Sequence, residues 1–167
     1  MTISVRAARY EDLPMLVRLR LTNAERHIQL DPAVYRIPDV ETVRRHFEGV
    51  LAQGEVSGVL VLVAELLSEV VGMVEVVVMP DPPDHQILVP RRCAQIHTVV
   101  LDGYRGKGVG AALLVAAEQA ASDRGISHLY GGIFAPNTGA VRFYLAARFG
   151  ESGISLRKGL RGAGSGD

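Results

Sequence analysis

The chain has 167 residues, with 18 Lys plus Arg against 18 Asp plus Glu and a formal net charge of +0. That length suits one domain with a substantial core, and the balanced charge excludes any overall field that would recruit nucleic acid or membrane. One cysteine, Cys93, excludes an intramolecular disulfide, and no apolar run of about 18 residues marks a membrane span, so the expected location is cytoplasmic.

A short strand is expected around Ile3 and Val5, followed by a helix that opens at Tyr10 to Asp12 and ends near His27 to Leu30. Asp31 to Pro38 forms a proline-bounded connector, and Val40, Val43, Phe47, Val50 and Leu51 recur at helical spacing in a second helix. Val59 to Leu66 and Val70 to Met79 are rich in β-branched residues and predict an antiparallel hairpin buried on both faces, turning at Leu67 to Glu69. Pro80 to Arg92 is a loop and a candidate lid, because its prolines lack the amides a central strand needs.

A fourth strand spans about Cys93 to Val100. A glycine-rich turn then leads into a helix that buries Val109, Leu113, Ala116, Ala117 and Ala120 and stops at Gly125. Strand five is expected over Ser127 to Phe134, the next helix over Asn137 to Ala147, and a last strand near Gly153 to Lys158. The domain thus covers residues 1–160, with a flexible tail at 161–167 rich in glycine.

The turn itself reads Arg105-Gly106-Lys107-Gly108-Val109-Gly110-Ala111. Three glycines let backbone amides close on an anion while Arg105 and Lys107 add positive charge, so the implied ligand is a phosphate or pyrophosphate. A Walker loop requires Ser or Thr after Lys107, where Gly108 stands. Gly106-x-Gly108-x-x-Ala111 satisfies the dinucleotide fingerprint, but the strand beginning at Ser127 lacks the acid expected about 20 residues on.

Arg105-x-x-Gly108-x-Gly110, together with Asn137-x-x-Ala140-x-x-Phe143-Tyr144 one strand later, resembles the GCN5-related N-acetyltransferase (GNAT) superfamily. The resemblance runs from Val5 to about Gly150. It implies an α/β domain with a mixed, mostly antiparallel sheet flanked by helices, and acetyl-CoA-dependent transfer to a primary amine by direct attack. It further implies that Arg105, Gly106, Lys107, Gly108, Val109, Gly110 and Ala111 hold the coenzyme's pyrophosphate. An amide around Val99 and Val100 would face the thioester, Asn137 would contact the coenzyme or cap a helix, and Tyr144 would serve the departing thiolate. The first two helices would form one wall of the acceptor site, placing Tyr35 and Arg36 near it. The acceptor is a small molecule or peptide, a homodimer is a family-level expectation, and no metal enters the reaction.

Deprotonating a lysine-like amine at pH 7 costs about 4.6 kcal/mol, and an α-amino group about 1.4 kcal/mol, so a base matters more for the first. Some relatives carry a glutamate five residues before the Asn, where this chain has Gly132, and others an acid on strand four, where it has Ile96. The remaining candidates are His97 and Glu75. A symmetric hairpin around Gln86 pairs positions summing to about 172, which sets Glu75 opposite His97 on one face. His97, supported by Glu75, is then the expected proton acceptor, directly or through water. The alternative class is a coenzyme A-binding or sensing domain without turnover.

Overall fold

The computed structural model describes residues 2–160; the expected tail at 161–167 lies outside them. Five strands form one sheet in sequence order: β1 (Ile3–Ala7), β2 (Val59–Leu66), β3 (Glu69–Val78), β4 (Cys93–Val100) and β5 (His128–Tyr130). The first four are antiparallel neighbours, and β4 and β5 run parallel. Helices α1 (Leu13–Leu30) and α2 (Val40–Gln53) pack on one face, and α3 (Val109–Asp123) and α4 (Thr138–Ala146) on the other.

Alternation along the strands feeds both layers. Val61, Val63, Met73 and Val99 pack with Leu16, Leu19 and Phe47 of the first helical pair, while Leu62, Ala64, Val74, Val76, Ala94 and Ile96 meet Val109, Leu113 and Ala117 of α3. The central hairpin is accordingly buried on both faces, which explains its nearly unbroken apolar sequence. Leu67 and Ser68 close it with φ of 53° and 63°, the left-handed pair that a two-residue hairpin turn requires. At the other end of β3, Met79 to Arg92 carries no regular structure, and the strands around it pair in the register that sets Glu75 opposite His97.

Two expectations about the C-terminal third are corrected. Strand β5 keeps only three residues, since the chain turns away from β4 after Tyr130. The strand expected near Gly153 to Lys158 does not form: residues 149–160 have no regular structure, with Ile154 and Leu156 each 90% exposed. Their alternation suits a strand, but no neighbouring strand of the same chain pairs with them.

The end of α4 shows why. Arg148 takes φ of 66°, so the Phe149 amide donates back to the Tyr144 carbonyl at 3.0 Å. Phe149 then packs edge-on against Tyr144, with centroids 5.1 Å apart. Arg148 bears the cost of about 1 kcal/mol for its left-handed backbone, which closes α4 just past Ala146.

Candidate active site

The site lies where β4 and β5 part company. Their pairing covers only Cys93 to Gln95 against His128 to Tyr130, so the rest of β4 has an open edge. Met79 donates to the Cys93 carbonyl and Leu101 to the Val71 carbonyl, both at 2.9 Å, so odd-numbered positions of β4 direct their main-chain groups toward β3. The amides of Ile96, Thr98 and Val100 therefore face the opening. Of the two amides read from the sequence, Val100 points into the gap, whereas Val99 is turned to β3 with its side chain in the core.

Tyr144 approaches this edge from α4. Its hydroxyl donates to Thr98 Oγ1 at 3.1 Å, with the Thr98 backbone on the same side of the ring. Burial, the largest influence, pushes the phenol above its ordinary pKa, while the two Thr98 contacts pull it back in part. Gly131 lies beside the ring, where a Cβ would make ordinary contact with Tyr144 at 3.6 Å. Thr98 escaped the sequence reading, although strand alternation alone marks it as gap-facing once one hydrogen bond of β4 is known.

The glycine turn sits at the same end of β4. Gly103, Gly106 and Gly108 have φ of 84°, 75° and 85°, conformations costly for any other residue type. Gly108 heads α3 without a side-chain cap, so the amides of Val109, Gly110 and Ala111 have no partner within the helix. Arg105 and Lys107 are exposed beside them. Gly110 serves packing as well, because a Cβ there would approach the Phe143 ring to 2.9 Å. Uncapped amides, positive-φ glycines and two cations fit a diphosphate at the helix start. Asn137 is the N-cap of α4, its side chain accepting from the Ala140 amide at 3.2 Å.

On the opposite face of the sheet, Glu75 is 3% exposed. Its carboxylate accepts from Arg20 at 2.6 Å and lies 3.8 Å from His46 Nε2, rather than bonding to His97 across the strand pair. Burial opposes its charge, but His46, Arg20 and His97 outweigh that and hold the carboxyl below its ordinary pKa. His97 itself is exposed. Arg20 and His46 were missed as partners, although Leu13, Leu16, Val17 and Arg20 share one helical stripe and His46 follows Val43 by three residues.

Arg20 and His46 also line a cleft of about 580 Å³ bounded by α1, the 31–39 connector and α2. Tyr35 stands in it, edge-on between His27 at 4.8 Å and Phe134 at 5.3 Å, which ties the connector to the chain that leaves β5. Arg26 of α1 donates to the Val100 carbonyl at 2.5 Å and to Asp102 at 2.7 Å, linking this wall to the start of the glycine turn. Among the described residues, no group of three or more His, Cys, Asp or Glu is placed to hold a metal ion, and no helix is long and apolar enough to cross a membrane.

A parted pair of parallel strands, an uncapped helix beside a glycine turn and a phenol at the open edge define a class of acyl-group-transferring folds. The model of the acetyltransferase (GNAT) family matches residues 24–150, and the chain belongs to that family. No curated protein matches it in sequence.

Solved structures share the architecture. A transcriptional regulator from Bacillus halodurans C-125 is 21% identical, with a TM-score of 0.73, over 95% of this chain and 100% of that one. A possible acetyltransferase from Clostridium difficile 630 is 15% identical, with a TM-score of 0.71, over 96% and 98%. An aminoglycoside N-acetyltransferase in complex with CoA is 17% identical, with a TM-score of 0.71, over 96% and 95%. At these identities the likeness is one of fold.

Proposed function

We propose that this protein is an acetyl-CoA-dependent N-acetyltransferase that moves an acetyl group to a primary amine of a small molecule or peptide by direct attack. The observation that carries the reading is the Tyr144 hydroxyl lying 3.1 Å from Thr98 at the unpaired edge of β4, with the uncapped α3 at the same strand's end. Arg105, Lys107 and the amides from Gly106 to Ala111 bind the pyrophosphate. The coenzyme then extends along the open edge, leaving its thioester near Thr98 and Val100. The aminoglycoside N-acetyltransferase of the same fold, solved in complex with CoA, supports CoA as the ligand.

Attack of the amine builds negative charge on the thioester oxygen, and an edge amide already fixed by the sheet stabilises it without reorganising. The Val100 amide, which points into the gap at the end of β4, fills this role. Tyr144 turns its proton from Thr98 toward the departing sulfur. Its raised pKa keeps it a neutral donor throughout the working pH range and makes full proton transfer to a thiolate uphill, so it acts chiefly as a hydrogen-bond donor.

His97, exposed on β4, accepts the amine's proton directly or through water, with the buried negative charge of Glu75 beneath it on the same face. Glu75 is held ionised by Arg20 and serves as an anchor. Asn137, committed to capping α4, orients Tyr144 through that helix. A cytoplasmic location and a homodimer built through the exposed 149–160 segment belong to the same proposal; sedimentation analysis tests the latter.

A second reading, a CoA-binding or sensing domain, draws on the commitment of the one buried carboxylate near the gap to an ion pair. Release of free CoA thiol from acetyl-CoA across a panel of amines decides between them. Acetyl-CoA binding with no release for any amine overturns the enzyme reading. Release that stops in Tyr144→Phe upholds it.

A further inference from the structure

The cleft between α1 and α2 has a charge pattern that selects its occupant. None of the residues lining it is acidic, while Arg20, His27, Arg36 and His46 all contribute to its wall. Their charges are not equally available. Arg20 is neutralised by Glu75 at 2.6 Å, and His46 lies 3.8 Å from the same carboxylate. His27 has its Nδ1 against the Asn23 carbonyl at 2.8 Å. Arg36 lines the cleft, is exposed and forms no ion pair among the described residues, which leaves its charge uncompensated.

The remaining wall is largely apolar or aromatic, with Tyr35 held rigidly between two rings. One unpaired guanidinium balances one carboxylate and recognises it through two parallel hydrogen bonds, whereas a dianion would call for a second free cation. A polycationic amine would meet the uncompensated charge of Arg36 with no acidic side chain in the lining to receive it.

Resting on the acetyltransferase reading above, the geometry points to an acceptor that is a monocarboxylate amine with an apolar or aromatic side chain, of amino-acid or short-peptide size, its carboxylate held by Arg36. A cleft of about 580 Å³ accommodates such a molecule. Polyamines and aminoglycosides are poor acceptors on this account, despite the fold shared with aminoglycoside N-acetyltransferases.

Calorimetry with acetylated product analogues tests the inference apart from catalysis, since these probes carry no titrating amine. With CoA present, N-acetylphenylalanine is expected to bind at least tenfold more tightly than N-acetylphenylalaninamide. Arg36→Ala abolishes that preference while the affinity for CoA is unchanged. Equal binding of the two probes, binding of neither, or a preference that survives Arg36→Ala overturns the inference. So does faster CoA release with spermidine or kanamycin than with phenylalanine. Discrimination in binding without CoA release for any amine, phenylalanine included, instead overturns the enzyme reading and leaves the carboxylate site standing. CoA release without discrimination does the reverse.

Discussion

Glu75 and Tyr144 are the two titratable side chains most fully enclosed near the opening, and they answer to different physics. Glu75 is ionised because the Arg20 guanidinium pairs with it and two histidines lie beside it. Its folded pKa is lowered, so its contribution to stability is present above the free value of about 4.5 and is lost as pH falls through the folded one. Glu75→Gln is expected to cost about 2 kcal/mol at pH 7, since Arg20 loses its partner but keeps partial access to water. It also flattens the decline in stability below pH 4.5; urea denaturation at a series of pH values measures both effects. Tyr144 stays neutral because burial dominates. Tyr144→Phe keeps the ring's packing and removes its donor, so kcat is expected to fall at least tenfold while the dissociation constant for acetyl-CoA, measured by calorimetry, stays within about twofold.

Among the elements, α3 and α4 depend on one missing methyl group. Alanine at position 110 would be favoured by helix propensity by about 1 kcal/mol, but its Cβ would lie 2.9 Å from Phe143 carbons. Relieving that contact displaces α4 and with it Tyr144, so Gly110→Ala is expected to be net destabilising by about 1–2 kcal/mol in thermal unfolding and to lower kcat.

Much of this arrangement was legible in the sequence. The strand register followed from proline positions and a symmetric hairpin count, and the turn that heads α3 from its glycine spacing. The side-chain partners were not legible, because a buried carboxylate takes whichever cation tertiary packing brings nearest. Cross-strand geometry offered His97 to Glu75, but α1 and α2 delivered Arg20 and His46. The missing C-terminal strand has the same origin: Ile154 and Leu156 alternate as a strand does, but alternation cannot supply a neighbour to pair with.

On the scale of the whole molecule, the α1–α2 cleft and the glycine turn lie on separate layers of the sheet, and Arg26 spans them. It rises from α1, holds the Val100 carbonyl and Asp102, and so joins the wall of the α1–α2 cleft to the strand end from which the glycine turn begins. Any shift of α1 on filling the cleft is felt at that junction, and by thermodynamic reciprocity each ligand must then alter the affinity of the other by the same factor. A calorimetric cycle over both binding orders is expected to show mutual tightening of about fivefold, which Arg26→Ala reduces to none. One guanidinium would thereby let the enzyme favour the ternary complex over either half-filled state, limiting idle hydrolysis of a reactive thioester when no amine is at hand.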